Sequence, residues 1–324
     1  MRRCILMFNI PLINQTLIEP ISRGAEELLI VSGYATPTMA SWHMTRIKEL
    51  SMPLIGIKLI VGMTNYDGLT KDVHEGFKQL VYTQSNTALS KFQCQYICQG
   101  PPVHSKLYIW MKNGEPVEAY TGSANYTQAG FSLGRREYIV PCNAYDAFSY
   151  FCSVERDSIY CTHSEVEENI ILQPINPVLE AENGHVQIVK GQGVEHVKLS
   201  LLARDGETGR RSGLNWGQRE GREPNQAYIP LPAEIARSGF FPLQKRHFSV
   251  ITDDNKHLIL RVEQQNDKAI TTPMNNSLLG EYFRNRIGVA NGAFVHSHDL
   301  ERYGRTDVDF YKLDDEHFYM DFSV

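Results

Sequence analysis

Residues 103–125 read VHSKLYIWMKNGEPVEAYTGSAN, and this stretch decides the fold of the first half of the chain. Residues 106–112 have the alternating character of a β-strand, and Asn113-Gly114 is a strong signal for a tight hairpin turn. Residues 117–121 form the return strand. We therefore expect an antiparallel hairpin whose two open ends carry polar side chains.

Those polar side chains suit an anionic ligand. His104 and Lys106 stand two residues apart, so both project from the same face of the strand. The return strand leads into Gly122-Ser123-Ala124-Asn125, where the glycine permits close backbone approach and Ser123 and Asn125 offer hydrogen-bond donors. Imidazole, ammonium, hydroxyl and amide groups around one point predict a phosphate-binding cluster that contains a nucleophile.

Around the hairpin, apolar strand-like runs alternate with helical patterns. The predicted strands are residues 28–34, 55–62, 91–98 and 137–141, and the predicted helices are residues 37–50, 67–82 and 144–160. This rhythm predicts an α/β domain with a mixed sheet flanked by helices.

A change of pattern divides the chain. Between residues 163 and 184 the sequence becomes acidic, and Pro174 and Pro177 prevent a continuous helix. Beyond it, short strands bounded by turn residues predict a mostly β barrel or sandwich. We expect a first domain at 1–165, a linker at 166–184 and a second domain at 185–324.

Composition narrows the classes of function. The chain has 324 residues and a net charge of −5, so any contact with nucleic acid must use local basic patches. No apolar stretch approaches the roughly 18 residues of a membrane-spanning helix, and Asn9 and Pro11 interrupt the apolar run that a secretory signal would need. We expect a cytoplasmic protein that has no membrane partner.

Metal binding is not indicated by the sequence. The six cysteines include no C-x-x-C pair, and Cys94 and Cys98 are expected to be small core residues. The acidic cluster near the C-terminus matches no calcium loop, and we interpret it as a solvated surface. Its members are Asp307, Asp309, Asp314, Asp315 and Glu316.

The combination of H-S-K, then T-G-S-A-N-Y-T-Q-A-G-F, then Glu137 resembles the phospholipase D superfamily, whose signature is H-x-K, G-S-x-N and a downstream acidic residue. The resemblance implies that His104 attacks phosphorus to form a phosphohistidine, that Lys106 and Asn125 hold the non-bridging oxygens, and that Glu137 orients His104. This sequence departs from the family at Met111, where the motif usually has Asp, and in its longer gap before Gly122.

The resemblance also implies a second histidine that protonates the leaving oxygen. The full signature occurs once, and we expect no second H-x-K among the remaining histidines. The inference is a homodimer whose two His104 side chains face each other across a two-fold axis. Charge stabilisation by Lys106 and Asn125 would replace the metal ion of other nucleases, so no cofactor is expected.

Two segments in the second half are rich in arginine and amide side chains. Residues 210–222 carry four arginines against one acid, and glycines at 213, 217 and 221 indicate a looped arm. Residues 275–286 are a second candidate arm, and the alternative for the first is a flexible, solvated basic loop. The predicted DNA-binding residues are Arg210, Arg211, Asn215, Trp216, Gln218, Arg219, Arg222, Asn225, Asn275, Asn276, Ser277, Tyr282, Arg284 and Arg286.

The elements G-L-N-W-G and Q-A-Y-I-P-L-P, the latter at residues 226–232, resemble the C-terminal recognition domain of restriction endonucleases of the NgoFVII and BfiI type. That domain is a pseudobarrel akin to the plant B3 domain. The resemblance implies arms at residues 210–226 and 272–286 that enter the major groove of double-stranded DNA.

The joined layout implies a site-specific restriction endonuclease. Some relatives work with a helicase-like ATPase subunit, and a cognate DNA methyltransferase is the expected companion. Because this chain has no G-x-x-x-x-G-K-[ST] loop, any use of ATP must come from a partner. Two alternatives stay open: a lipid phosphodiesterase that uses the same residues, and an inert DNA-binding scaffold, to which Met111 points.

Overall fold

The computed structural model of the chain describes residues 7–54, 56–84, 91–174, 176–189 and 193–324. The chain divides into two compact units, residues 1–175 and 176–324. Ile55, where a strand is predicted to begin, lies outside the described residues. Among the described residues, no helix is both long and apolar enough to cross a membrane.

The first unit contains short and long strands with helices between them. Its strands are β1 (Glu27–Ser32), β2 (Gly56–Val61), β3 (Leu69–Thr70), β4 (Lys91–Ile97), β5 (Lys106–Lys112), β6 (Glu115–Gly122), β7 (Ile139–Cys142), β8 (Ser158–Tyr160) and β9 (Leu172–Gln173). Its helices are α1 (Ile10–Ile13), which continues through a π-helical turn (Asn14–Ile18) into α2 (Glu19–Ser22), then α3 (Pro37–Glu49), α4 (Lys71–Gln84), α5 (Ala144–Glu155) and α6 (Val166–Asn169).

The main sheet of this unit has the strand order β7-β6-β5-β1-β2-β4-β8. β1, β2 and β4 are parallel, whereas β5 runs antiparallel to β1 and β7 antiparallel to β6. The predicted α/β fold with a mixed sheet is thereby confirmed. These directions place the carboxyl ends of β1, β2 and β6 and the amino ends of β5 and β7 at one edge of the sheet.

The central hairpin is confirmed in detail. Asn113 and Gly114 have φ values of 51° and 80°, which is the left-handed backbone that a type I′ turn requires. The pairing of β5 with β6 shifts register between Trp110 and Met111. The Met111 side chain is 4% exposed and packs among aliphatic residues and α5, so an aspartate there would place an unpaired carboxylate in the core.

The helix predicted at residues 144–160 ends earlier than expected, at Glu155. The Ser158 hydroxyl donates to the Glu155 carbonyl and the Asp157 amide donates to the Val154 carbonyl, which closes the last turn. The chain then enters β8, which pairs antiparallel with β4. The prediction was wrong here because the aromatic run continues past the point where Ser158 caps the helix.

The second unit is mostly β. Its strands are β10 (Leu179–Glu182), β11 (His185–Ile188), β12 (His196–Ser200), β13 (Ile229–Pro230), β14 (His247–Thr252), β15 (His257–Glu263), β16 (Ala269–Thr271), β17 (Asp307–Lys312) and β18 (His317–Asp321). Its helices are α7 (Ala233–Ser238), α8 (Ser277–Ile287) and α9 (Ser297–Tyr303), with 3₁₀ turns at Gly213–Gln218 and Gln265–Asp267.

Seven of these strands form one sheet in the order β12-β17-β18-β14-β15-β16-β13. The edge strands β12 and β13 approach each other, so the sheet is a nearly closed barrel. Its interior is aromatic, with Phe241 packed against the rings of Phe248, Phe310 and Phe318. The predicted mostly β second half is confirmed.

Part of the predicted acidic surface belongs to this barrel. Asp307 and Asp309 lie in β17, where they alternate with the fully buried Val308 and Phe310. Arg305 donates hydrogen bonds to both carboxylates. These aspartates therefore form ion pairs along a strand rather than a purely solvated surface.

Candidate active site and nucleic-acid interface

The predicted catalytic residues meet at the sheet edge where β5 and β7 begin and β1, β2 and β6 end. Two glycines permit the backbones to approach there. A Cβ on Gly62 would lie 1.9 Å from the carbonyl oxygen of Val103, and a Cβ on Gly122 would lie 2.0 Å from that of Tyr138. The loops that carry His104 and Glu137 are thus held directly against neighbouring strand ends.

His104 is exposed and lies just before β5, in an extended segment. A Cβ on Gly33 would lie 3.0 Å from His104 Cδ2, so the imidazole packs on bare backbone. The ring of Tyr34 meets the imidazole edge-on, with centroids 5.8 Å apart. These contacts leave His104 accessible to a ligand while fixing one side of its ring.

Lys106 lies beside His104, as the two-residue spacing predicts. Its Nζ donates to the His104 carbonyl at 2.6 Å and lies 3.0 Å from Nδ1 and 3.1 Å from Nε2. An ammonium group can only donate and a neutral imidazole has one accepting nitrogen, so at most one of these two ring nitrogens accepts from Lys106. Burial lowers the pKa of Lys106, and the Glu137 carboxylate acts in the opposite direction.

Asn125 is oriented by the end of β1. Its Oδ1 accepts from the Tyr34 backbone N–H at 3.1 Å and from the Ser32 hydroxyl at 3.4 Å. Because a backbone N–H can only donate, these contacts assign the oxygen of the carboxamide to this side. The amino group of Asn125 is therefore the part that is left for an anionic ligand.

Ser123 and Glu137 form a pair. The Ser123 hydroxyl donates to Glu137 Oε2 and accepts from the Tyr138 backbone N–H at 3.1 Å. Its proton is thus directed to Glu137 in this structure rather than toward an open anion site. Among the described residues, no ion pair joins Glu137 to Arg135 or Arg136. The orientation of His104 by Glu137 stays a prediction, because the hydrogen bond of Glu137 runs to Ser123.

Sequence reasoning missed the contribution of the β1 end. Tyr34 contacts His104 with its ring and Asn125 with its backbone, and its hydroxyl donates to Asp67. That hydrogen bond raises the pKa of Tyr34. The available signal was positional, because polar residues that follow the carboxyl ends of parallel strands converge at binding sites.

The expectation of a single H-x-K was wrong. His196-Val197-Lys198 also has this spacing, but it lies in β12 of the second unit. His196 stacks on Tyr311 with centroids 5.3 Å apart, and Lys198 lies 3.3 Å from Asp307. No G-S-x-N follows it, so the full signature still occurs once.

In the second unit, only some of the side chains of residues 210–222 are exposed. The side chains of Arg210, Arg211, Arg219 and Arg222 are exposed. Arg222 stacks on Trp216, with its guanidinium carbon 4.0 Å from the ring centroid. We call the four exposed arginines and Trp216 the arginine face.

Other predicted DNA-binding residues in this segment face inward. Asn215 is fully buried, and its carboxamide exchanges two 2.8 Å hydrogen bonds with the backbone of Val295. Gln218 donates to the carbonyls of Pro224 and Gly292, and Asn225 accepts from the Gly292 amide at 2.7 Å. Their amides are hydrogen-bonded to backbone groups, so they hold the loop rather than present a base-reading edge.

The second predicted arm is not an arm from Ser277 onward, because these residues form helix α8. Arg284 is fully buried and donates to the carbonyls of Ala293, Leu214, Gly280 and Pro224. A helix whose buried face includes Leu279, Phe283 and Ile287 packs into the core, and this overrides the polar composition.

Some of the remaining residues of this arm are buried or ion-paired, and others are exposed. Arg286 makes a bidentate pair with Asp253, and Tyr282 is 8% exposed and donates to Asp254. Ser277 is 5% exposed. Asn276 is half-buried, and Asn275 is exposed. The assignment of Ser277, Tyr282, Arg284 and Arg286 to direct DNA contact is therefore corrected, since their side chains are enclosed by protein.

Family comparisons match both halves of the chain. A model of the NgoFVII restriction endonuclease N-terminal PLD domain matches residues 10–168, and a model of the NgoFVII C-terminal B3-like DNA-binding domain matches residues 189–314. The chain belongs to the NgoFVII restriction endonuclease family. The family assignment makes it a phosphodiesterase or nuclease of the phospholipase D class that carries a DNA-binding domain.

Solved structures resemble part of the chain. The phospholipase D family member Nuc from Salmonella typhimurium is 14% identical, with 48% of this chain and 95% of that chain covered and a TM-score of 0.32. NucT from Helicobacter pylori is 15% identical, with coverages of 48% and 96% and a TM-score of 0.31. Polyphosphate kinase from Porphyromonas gingivalis is 15% identical, with coverages of 50% and 24% and a TM-score of 0.28. A comparison with curated proteins gave no match.

Proposed function

We propose that this chain is a site-specific restriction endonuclease that hydrolyses DNA phosphodiester bonds without a metal ion. The observation that carries the proposal is the exposed His104 imidazole in contact with the Lys106 ammonium, next to the Asn125 amide, at one sheet edge. In this reading residues 1–165 cut and dimerise, residues 166–184 link, and residues 185–324 recognise DNA.

The proposed hydrolysis proceeds in two steps. A ring nitrogen of His104 attacks phosphorus, the P–O bond to the leaving nucleotide breaks, and an acid donates a proton to the leaving oxygen. Water then attacks the phosphohistidine, the P–N bond breaks, and the deprotonated acid takes the proton of the water. Lys106 and Asn125 donate to the non-bridging oxygens, where negative charge accumulates.

The acid is a second His104, supplied by another copy of the chain. This part of the proposal is supported by the single full signature and by the exposure of His104. A two-fold axis that brings two such edges together would supply nucleophile and acid from identical residues.

The recognition domain is proposed to contact double-stranded DNA through the arginine face and Asn275. Guanidinium groups bind phosphates and guanine edges, and a partly exposed tryptophan adds stacking surface. We also propose that a helicase-like ATPase subunit and a cognate DNA methyltransferase act with this chain, as the family resemblance implies.

The decisive experiment incubates the purified chain with plasmid DNA in excess EDTA and sequences the ends. We expect defined cleavage sites, and we expect His104→Ala to reduce cleavage by at least about 10³-fold, as removal of a nucleophile does in other enzymes. A strict requirement for magnesium would overturn the metal-independent mechanism. Hydrolysis of phosphatidylcholine without DNA cleavage would favour the lipid alternative.

Mixing subunits tests the shared site. Dimers that combine wild-type and His104→Ala chains have one imidazole at a shared centre, so we expect them to be as inactive as the variant. Activity near half of the wild-type value would instead show that each chain has a complete site. Acid quenching during turnover should trap a phosphohistidine, and a chain that binds DNA but never becomes labelled would be a scaffold.

A further inference from the structure

A cluster of metal-ligating side chains lies outside the proposed active site, between α4 and α6 of the first unit. His74, Glu75 and Glu167 each offer one ligand atom, and these atoms all lie within 4.8 Å of one another. None of them contributes to the His104 site. Two come from adjacent positions of α4, and the third comes from α6, far along the chain.

His74 distinguishes this cluster from ordinary acidic surface. Its side chain is fully buried, and none of the described residues gives its Nε2 a hydrogen-bond partner. Nε2 points toward the cluster, 3.9 Å from Glu167 Oε1. A buried polar atom without a partner is destabilising, so its position requires an explanation.

The other ring nitrogen is held by a hydroxyl group. His74 Nδ1 lies 3.1 Å from the Tyr96 hydroxyl. When the Tyr96 oxygen accepts from Nδ1–H, Nε2 carries the lone pair. Metal-ligating histidines are commonly oriented in this way by an acceptor on the opposite nitrogen.

We propose that His74 Nε2, Glu75 and Glu167 bind one Zn²⁺ ion per chain. One imidazole nitrogen and two carboxylate oxygens are suitable zinc ligands, and water can complete the tetrahedron because the Glu167 side chain is 51% exposed. Tetrahedral ligands at bond lengths of about 2.1 Å lie about 3.4 Å apart, so the ligand atoms must approach one another by up to about 1.4 Å.

Lys78 competes with the ion for Glu75. Its Nζ donates to Glu75 Oε1 at 2.8 Å. Zinc binding must displace this ammonium, and removal of the ammonium should strengthen binding. The ion would connect α6, at the end of the first unit, to α4, and so stabilise the last segment of that unit without taking part in cleavage.

The test uses the full, untagged chain after EDTA treatment and desalting, with no DNA present. Equilibrium dialysis against zinc should give one ion per chain, and cobalt should give the absorption bands of a tetrahedral site. Glu167→Gln should weaken zinc binding at least about tenfold. The matched control is Glu168→Gln on the same helix, because Glu168 is exposed and outside the cluster.

Lys78→Gln sharpens the result, because tighter zinc binding by this variant has no explanation in a merely structural role. Zinc should also raise Tm in the wild type and not in Glu167→Gln. Absence of stoichiometric binding, or equal binding by the wild type and Glu167→Gln, would overturn the proposal. Both readouts omit DNA and cleavage, so this inference and the proposed nuclease activity can fail independently.

Discussion

At the edge of the first sheet, Lys106, Ser123 and Asn125 come from different strand ends and lie around one point beside His104. In the second unit, Asn215 and Arg284 were predicted from equally polar sequence, and both are buried. The first prediction used spacing on a defined hairpin, whereas the second used composition. Spacing fixes a direction for each side chain, and composition does not.

The largest expected effect is on the stability of the second unit and concerns its buried polar side chains. Arg284→Met should lower the free energy of unfolding by about 3 kcal/mol, because several backbone carbonyls lose their buried donor. Arg211→Met is the control and should change it by less than about 0.5 kcal/mol, since Arg211 is exposed. Urea unfolding measures both. Equal effects would mean that the buried guanidinium does not organise this unit.

The next effect concerns a buried histidine of the first unit. His43 is fully buried, and its Nε2 donates to the Leu17 carbonyl at 2.9 Å. Burial lowers the pKa of His43 from 6.5 to about 4. Because the folded pKa lies below the unfolded one, the stabilisation is present above pH 6.5 and is lost as pH falls toward 4.

Between pH 7 and pH 5 this single group should therefore cost about 2 kcal/mol of stability. The measurement is urea unfolding of the wild type and His43→Gln at both pH values, since glutamine offers an amide N–H in place of the imidazole N–H but cannot titrate. The loss of stability on acidification should be smaller in the variant by that amount. An identical pH dependence in both proteins would contradict the assignment.

A smaller effect tests the packing at the catalytic edge. Gly33→Ala adds a methyl group 3.0 Å from His104 Cδ2, so the imidazole must move by a few tenths of an ångström. We expect kcat to fall about tenfold while Tm is retained, because catalysis depends on position more steeply than stability does. Gly193→Ala, where the added methyl meets nothing within 4 Å, is the control. Unchanged kcat in Gly33→Ala would show that His104 tolerates displacement.

The smallest expected effect is on DNA binding and concerns the exposed arginine face of the second unit. Arg219→Ala should weaken DNA binding several-fold and reduce the slope of log affinity against log salt by about 1, as loss of one phosphate contact does. Arg237→Ala in α7 removes another exposed arginine outside the arginine face and should leave the slope unchanged. Equal slopes for the two variants would remove the arginine face from the DNA interface.

The elements that could be predicted from the sequence are those in which the local turn signal and the pattern of apolar residues indicate the same structure. The β5–β6 hairpin was readable because Asn113 and Gly114 adopt left-handed backbone at little cost, and the sequence between them and Gly122 fits a strand. The contributions of Gly33 and Tyr34 were not readable from the motif. They depend on β1 lying next to β5, which is a tertiary pairing.

The errors in the second unit had signals that composition concealed. In α8, the buried residues Leu279, Phe283 and Ile287 recur every four positions, as in a helix with one apolar face. In β17, acidic and apolar residues alternate with the period of a strand. In both elements the spacing of the apolar residues, rather than the number of charged ones, predicts the structure.

The buried guanidinium of Arg284 separates the residues that hold the loops of the second unit from the residues of the arginine face. Its charge is solvated by peptide carbonyls from α8 and the flanking loops, much as water would solvate a free ion. This internal solvation holds the loop framework without using any side chain of the arginine face. The exposed residues can therefore diverge while the frame stays constant, so exchanging Arg210, Arg211, Arg219 or Arg222 would alter the proposed DNA contacts without disturbing that frame.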